Sequence, residues 1–239
     1  MKEILHLSTK ELHLVLALIS VTVGYLGYWF ISQSPKLLKK KQSQYTEDEY
    51  STKKIITQRY IGVLFLGIIP AIICFGFLSS NLDFYGLNLK NLRVSALWIL
   101  GLSALIVPMT ILSAKKPANM DMYPQIRAKV WSKGLVAKSA LTWIAYLLAY
   151  EFLFRGILLF PFVETMGFWP AIVMNCAIYA FAHLPKGITE SVGAIPLGLV
   201  LCIITLATES ILVAFVVHVV MALTNEWRTL YLHKDMKIQ

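Results

Sequence analysis

Seven apolar runs, separated by shorter polar stretches, follow one another along the chain. The longer ones have about 20 residues, the length that an α-helix needs to cross the hydrocarbon core of a membrane. They cover residues 12–31, 60–78, 94–112, 140–162, 169–183, 192–207 and 211–223. The pattern predicts an all-α fold, a polytopic transmembrane helical bundle of about seven spans. The sixth and seventh runs are short, so the alternative to two full spans is that one of them is a re-entrant segment.

Prolines and one amphipathic stretch modify this pattern. Pro70 and Pro108 lie inside the second and third runs, where a proline is expected to kink or interrupt a helix. Pro185, with a glycine after it, predicts the end of the fifth run. Residues 122–135 are compatible with two interpretations, a short amphipathic helix in the headgroup region or a solvated linker. The pattern favours neither.

Composition excludes an ordinary soluble domain. Hydrophobic residues make up 57% of the 239 positions and charged residues only 15%, with a mean hydropathy of +0.66. Soluble domains have fewer apolar residues and about 25% charged ones. Cys74, Cys176 and Cys202 all lie in apolar runs without paired spacing. They are typical of small core residues and indicate neither disulfides nor a metal cluster.

The net charge of +9 is concentrated in the polar stretches. Basic residues accumulate at 32–59, at 115–138 and in the tail after residue 225. Such an excess marks cytoplasmic loops, so the amino terminus is predicted outside and the carboxyl terminus inside. This distribution disfavours nucleic-acid binding. Residues 1–11 lack the basic start and the cleavage site of a signal peptide, so the first run is expected to be a retained span.

Ionisable residues within the apolar runs are the candidates for chemistry. Glu151 and Arg155 have a spacing that places them on one helix face, one turn apart. The structural interpretation is a buried ion pair that fixes helix packing. The functional one gains support from His183 and His218 in two other apolar runs, because ionisable residues at membrane depth are functional candidates by default.

These four residues suit hydrolysis beside a membrane. Glu151 is the natural general base, and Arg155 is expected to position it. His183 and His218 can donate to an oxyanion or ligate a divalent metal. Two histidines and a glutamate would form an open zinc set. Here they come from three helices, without a His-Glu-x-x-His motif on one helix, so the spacing indicates a metal only weakly.

The order Glu151-x-x-x-Arg155-Gly156, Tyr179-x-x-x-His183, then His218 in the last run resembles the CPBP family of intramembrane proteases. That family includes CAAX-processing proteases and bacterial Abi proteins. The resemblance covers about residues 140–225 and implies three regions. They are N-terminal spans with basic loops at 1–139, a catalytic-type helical core at 140–225 and a cytoplasmic tail at 226–239.

Two positions depart from the family pattern. Tyr150 stands where the family has its first glutamate, and Ala222 stands where the third motif has Asn or Asp. The resemblance therefore implies one of two outcomes. Either Glu151 acts as the base with a Tyr150 hydroxyl beside it, or the fold persists without proteolysis. The family itself is described both as metal-dependent and as a glutamate-type hydrolase, so zinc remains an open cofactor.

The resulting expectation is a polytopic membrane endopeptidase, metallo- or glutamate-type, that cleaves a membrane-associated peptide or protein. Its catalytic residues would be Glu151, Arg155, His183 and His218. If zinc is bound, Glu151, His183 and His218 would be its ligands. Its expected surroundings are membrane lipid, in a bacterial cytoplasmic membrane. The alternative is a non-catalytic scaffold or regulator of a partner enzyme. A transporter gated by the Glu151–Arg155 pair is disfavoured because no repeated halves are visible.

Overall fold

The computed structural model describes residues 7–34, 45–77 and 81–239. Helices account for 82% of the structure, which confirms the predicted all-α, polytopic bundle. Within the described residues, five helices are long and apolar enough to cross a membrane. They are Thr9–Ser32, Glu47–Gly76, Leu92–Ser113, Lys133–Met166 and Ile188–Thr208. The chain is an integral membrane protein. The predictions for residues 1–6, the basic residues 36–41 and the end of the second run at 78 lie outside the described residues.

The first two helices begin at capping boxes. Helix α1, Thr9–Ser32, starts where Ser8 and Glu11 exchange side-chain and backbone hydrogen bonds. Helix α2, Glu47–Gly62, starts with the same arrangement between Thr46 and Glu49. It continues through a π-helical segment, Val63–Ile68, into α3, Ile69–Phe77. The predicted start at residue 60 is therefore wrong, because the capping box begins the helix within the polar stretch.

Helix α4, Leu92–Ser113, follows a short 3₁₀ turn, Leu82–Tyr85, and passes through Pro108 without interruption. The predicted break at Pro108 is wrong. A proline removes one backbone donor, and the remaining hydrogen bonds of the helix keep its course within the membrane. The side chains of α4 are mostly exposed apart from Ser95 and Thr110. This exposed apolar surface is typical of a lipid-facing span.

Residues 122–135 form neither of the two structures considered from the sequence. Helix α5, Pro117–Met122, ends before Tyr123, and strand β1, Val130–Trp131, follows. A residue that precedes proline, as Tyr123 precedes Pro124, disfavours helical geometry. Strand β1 pairs in parallel with β2, Lys237–Ile238. Trp131 is fully buried, so the segment is not a solvated linker either.

The most buried span is the central helix, which runs from Lys133 to Met166 over 34 residues. It consists of α6, Lys133–Glu151, a second π-helical segment, Phe152–Leu158, and α7, Leu159–Met166. Its start lies before the predicted residue 140, because the Ser132 side chain caps it by accepting from the Leu135 amide. Helices α1 and α2 and the last helix pack around it.

The remaining helices complete the bundle. Helix α8, Phe168–Ala182, leads through a 3₁₀ turn, Leu184–Lys186, into α9, Ile188–Thr208. Helix α10, Leu212–Leu232, extends past the predicted end at residue 223. Apart from the end residues His183 and Ile211, the described parts of all seven predicted runs lie on helices. Helices α8 and α10 are outside the set of five because α8 has 15 residues and α10 has a polar second half.

Candidate active site

Glu151 and Arg155 lie at the middle of the central helix, and both are fully buried. Glu151 is the last residue of α6, and Arg155 belongs to the π-helical segment that follows. Their side chains meet with Arg155 Nη1 at 3.7 Å from Glu151 Oε2. The predicted intrahelical pair is therefore present. Single π-helical turns inside α-helices occur frequently at functional sites, because they change the direction in which side chains project.

His218 of α10 approaches the same carboxylate from the other side. Its Nδ1 lies 2.6 Å from Glu151 Oε1. The carboxylate is thus held between an imidazole and a guanidinium. With Nδ1 engaged by Glu151, Nε2 is the ring nitrogen that remains for another partner. This is the carboxylate–histidine arrangement that fixes a ring tautomer and orientation.

His183, directly after α8, lies on the other side of Tyr150. Its Nδ1 donates to the backbone carbonyl of Tyr179 at 2.9 Å, and the Tyr150 hydroxyl lies 3.5 Å from the same nitrogen. Because a carbonyl oxygen only accepts, the proton of a neutral His183 ring is on Nδ1 and Nε2 is an acceptor. The Tyr150 ring stands between the two histidines, with ring centroids at 6.1 Å from His183 and 5.8 Å from His218.

Arg155 has few partners for a buried cation. Its guanidinium lies over the Tyr179 ring, 4.1 Å from the ring centroid. None of its three side-chain nitrogens makes a hydrogen bond to a described residue. Glu151 therefore provides most of the balancing charge, and loss of the carboxylate would leave the guanidinium unpaired at the centre of the bundle.

Asn175 stabilises the π-helical segment from α8. Its Nδ2 donates to the Phe154 carbonyl at 2.6 Å, and its Oδ1 accepts from the Cys202 thiol at 3.3 Å. Asn175 and Cys202 are both fully buried. A π-helical turn leaves backbone carbonyls without their usual α-helical partners, so this amide supplies a donor that the segment requires. Asn175 of α8 thus makes hydrogen bonds to two other helical segments.

A cavity of about 70 Å³ lies next to this cluster. His183, His218 and Lys186 line it together with aromatic side chains from α1 and α6, namely Tyr25, Tyr28, Trp29, Trp143, Tyr146 and Tyr150. The Tyr25 hydroxyl donates to the Ala182 carbonyl at 2.7 Å and closes the cavity between α1 and α8. Glu151 is fully buried behind His218. The imidazole of His218 therefore connects the carboxylate to the cavity.

The zinc set that the sequence left open, Glu151, His183 and His218, does not fit this arrangement. Among the described residues, no group of three His, Cys, Asp or Glu side chains is placed to hold a metal ion. Glu151 Oε1 and His218 Nδ1 contact each other instead of a shared ion. His183 directs Nδ1 to a backbone carbonyl, and Tyr150 separates it from the pair. The site is built as a hydrogen-bonded carboxylate–imidazole pair.

One segment of the chain contains Glu151, Arg155 and His218, which cluster in space, and His183, which lies one aromatic ring away. Residues 132–224 match the Rce1-like family. The family model is described as type II CAAX prenyl endopeptidase Rce1-like. The match confirms the resemblance to the CPBP proteases. No curated protein and no solved structure matches the chain.

The Rce1-like segment starts at the cap of the central helix and ends within α10. It contains all four predicted site residues. The cavity wall also receives Tyr25, Tyr28 and Trp29 from α1, outside the segment. Ala222, at the third-motif position of the segment, packs beside a buried cluster of Tyr123, Trp143 and Leu147. An apolar contact thus replaces the polar group of the family pattern.

Sequence reasoning missed a second buried ion pair, at one end of the segment. Arg59 Nη2 lies 3.0 Å from Glu226 Oε2, and both residues are buried. Trp143 Nε1 donates to the same oxygen at 2.6 Å, and Ser139 donates to Oε1. The sequence pattern predicts a cytoplasmic loop for Arg59 and places Glu226 at the start of the cytoplasmic tail. The available signal was that Arg59 directly precedes an apolar run and Glu226 lies three residues after one.

Proposed function

We propose that the chain is an intramembrane endopeptidase that cleaves a membrane-associated peptide or protein. The observation that carries this proposal is the Glu151–His218 hydrogen bond of 2.6 Å behind a cavity that His183 and Tyr150 also line. The Rce1-like family match supports the same class of reaction. A buried carboxylate that orients an imidazole toward a cavity is an arrangement suited to activating water.

The Glu151–His218 pair is the general base in this proposal. A water molecule in the cavity attacks the peptide carbonyl carbon while its proton passes to His218 Nε2. The negative charge of Glu151 stabilises the imidazolium that forms, and Arg155 holds the carboxylate from its other side. When the tetrahedral intermediate collapses, the carbon–nitrogen bond breaks and His218 returns the proton to the leaving amine.

Tyr150 is the oxyanion donor in this proposal. The residue types predict this role for the histidines, but the remaining ring nitrogen of a neutral His183, Nε2, is an acceptor. The Tyr150 hydroxyl lies next to the His183 ring and is a donor at the cavity. Removing one donor to a developing oxyanion typically lowers the rate roughly 100- to 1000-fold.

The proposed orientation places the cavity toward the cytoplasmic side of a bacterial membrane. Lys186 at the cavity contacts the Tyr123 hydroxyl, within the basic stretch 115–138. Basic residues accumulate on the cytoplasmic side of membrane proteins. The carboxyl terminus lies on that side in this proposal and the amino terminus on the other. Residues 140–225 form the proposed catalytic core, and the N-terminal spans complete the cavity wall.

A non-catalytic scaffold is the second candidate. Two observations favour it. Ala222 puts an apolar contact at a position where the family has a polar side chain, and Glu151 has no exposed surface of its own. In a scaffold, Glu151, Arg155 and His218 would fix helix packing only.

Terminal proteomics on membranes distinguishes the two candidates. Cells would express the native chain, His218→Gln, Tyr150→Phe or Tyr60→Phe at matched abundance. Tyr60 is exposed on α2, so its substitution is the control for losing one hydroxyl. An endopeptidase produces new protein termini in the native and Tyr60→Phe samples that His218→Gln abolishes and Tyr150→Phe strongly reduces. Identical termini in all four samples would refute the endopeptidase and favour the scaffold.

A further inference from the structure

Tyr146 forms the part of the cavity wall next to the proposed oxyanion donor. Its ring stacks on the Tyr150 ring, with centroids 6.0 Å apart and ring planes inclined by 29°. The two residues are one helical turn apart on α6, about 6 Å along its axis. Both line the cavity together with His183 and His218. A group that contacts the Tyr146 ring in the cavity therefore lies beside the proposed reaction centre.

Aromatic neighbours hold the Tyr146 ring on several sides. Trp143 meets it edge-on with centroids 6.0 Å apart, and Tyr28 of α1 packs against it at 5.8 Å. Trp143 is itself fixed, because the Arg59 guanidinium lies 4.1 Å from its ring centroid and its Nε1 donates to Glu226. The Tyr146 ring is only partly buried, and the cavity provides the free space beside it.

The position of the Tyr146 ring depends on the absence of a side chain at Gly62, the last residue of α2. A Cβ atom at this position would lie 2.4 Å from both Cδ2 and Cε2 of Tyr146 and 3.3 Å from Cε2 of Tyr28. Carbon atoms in ordinary contact are about 3.5–4.0 Å apart, so a larger residue would displace the ring by about 1 Å. Gly62 follows Arg59 by one turn of α2, as Tyr146 follows Trp143 by one turn of α6. The two helices thus meet along matching turns.

The cavity is small enough for such a displacement to change what it holds. Its volume is about 70 Å³, whereas one water molecule needs about 10–15 Å³ of such space. The cavity therefore has room for a few water molecules or for one small side chain and the attacking water. Because protein interiors are closely packed, a shift of about 1 Å in one wall decides which groups fit.

We propose that Tyr146 limits the size of the substrate side chain beside the cleaved bond, and that Gly62 is the positioning residue that sets this limit. The role in substrate selection rests on the proposed endopeptidase function, whereas the role in shaping the cavity does not. Gly62→Ala moves the Tyr146 ring toward the cavity and restricts the site to smaller side chains. Loss of the Tyr146 ring has the opposite effect and admits larger ones.

The first experiment measures the cavity without any cleavage. Ala182, which also lines the cavity, is replaced by cysteine in full-length protein in phosphatidylcholine nanodiscs. Reaction of the new thiol with methyl methanethiosulfonate and with benzyl methanethiosulfonate is followed by mass spectrometry. Fragment masses separate position 182 from the native cysteines, which are buried. The measured quantity is the ratio of the benzyl rate to the methyl rate.

Overpacking a buried wall commonly changes a constant by about tenfold or more, so Gly62→Ala should lower the benzyl-to-methyl ratio by about that factor. Tyr146→Ala should raise the ratio. Adding Gly62→Ala to Tyr146→Ala should then change nothing, because no ring is left to displace. Two controls should keep the native ratio. They are Gly76→Ala in the same span, whose Cβ meets nothing within 4 Å, and Tyr146→Phe, which retains the ring.

The second experiment reads substrate selection from the new protein termini in membranes of cells that express the same variants. Relative to Gly76→Ala, Gly62→Ala should shift the residues beside the cleaved bond toward glycine, alanine and serine. Tyr146→Ala should add large aromatic residues, and the double variant should match Tyr146→Ala. A merely structural effect of Gly62→Ala would lower the amount of every product by one factor and leave this distribution unchanged.

An unchanged benzyl-to-methyl ratio in Gly62→Ala or in Tyr146→Ala would overturn the proposal, whatever the termini show. So would an effect of Gly62→Ala that persists in the Tyr146→Ala background. A changed ratio with an unchanged residue distribution at the new termini would refute the role in selection. A changed ratio without any new termini would refute the endopeptidase and leave Tyr146 and Gly62 as determinants of the cavity.

Gly62→Ala is the variant most exposed to a folding defect. If it does not accumulate, the comparison of Tyr146→Ala with Tyr146→Phe decides the size limit. Recovery of Gly62→Ala by Tyr146→Ala then decides the positioning role, because removing the ring removes the clash. Failure of Tyr146→Ala to restore accumulation would refute that role.

Discussion

Replacing Glu226 with alanine should destabilise the bundle more than any surface substitution. Glu226 is fully buried and accepts from Arg59, Trp143 and Ser139. Its loss leaves the Arg59 guanidinium, 3% exposed, without a countercharge. Arg59 keeps neutral partners in Ser139, Thr142 and Gln125, which satisfy its donors but not its charge.

Breaking a buried pair in this way costs about 3–5 kcal/mol. For a chain of this size, each kcal/mol lost from the free energy of unfolding lowers the melting temperature by about 2–4 °C. Glu226→Ala should therefore lower the apparent melting temperature by about 6–20 °C in detergent micelles at one fixed heating rate. Glu226→Met together with Arg59→Met should recover most of the loss, because the pair is then removed as a whole.

The control is a pair of the same chemistry at the surface. Lys90 Nζ lies 2.8 Å from Asp83 Oδ2, with half of each side chain exposed. Asp83→Asn should change the melting temperature little, since solvent screens such a pair. A shift for Glu226→Ala no larger than that for Asp83→Asn would refute the assignment of Arg59 and Glu226 as a charge-balanced core pair.

Two further substitutions test the packing around the π-helical segment. Gly156→Ala should lower stability by about 1–3 kcal/mol, because its Cβ would lie 2.9 Å from a backbone oxygen. Gly101→Ala on α4 meets nothing within 4 Å and should be neutral or stabilising, and equal effects of the two in thermal unfolding would contradict this. Asn175→Leu should cost about 1–3 kcal/mol by leaving the Phe154 carbonyl without its donor. Unfolding of purified Asn175→Leu at the native temperature would be evidence against that bond.

The apolar runs were sufficient to predict the spans and three members of the site. Glu151, Arg155 and His218 are costly residues at membrane depth, so each requires a partner, and the partners available in the apolar runs are one another. The structure brings these three together as expected. His183 lies close by, but its separation from Glu151 by the Tyr150 ring depends on three-dimensional packing that spacing does not encode.

The helix ends and the Arg59–Glu226 pair were not predictable from hydropathy. Hydropathy reports where a chain leaves the apolar phase, whereas a helix continues for as long as capping and packing support it. Helix α2 begins at Glu47 and α10 ends at Leu232, both within polar sequence. Arg59 and Glu226 lie in these extensions. Their burial depends on a contact across the bundle between positions far apart in the sequence.

The parallel pairing of β1 with β2 has a consequence for the order in which the protein is made. Val130 and Trp131 leave the ribosome long before their partners Lys237 and Ile238 exist. Leu230 and Met236, which complete the apolar cluster around Trp131, are also synthesised much later than Trp131. Most of the chain is therefore synthesised before this end of the bundle can close. The β1–β2 contact can form only after residues 237–238 have been synthesised.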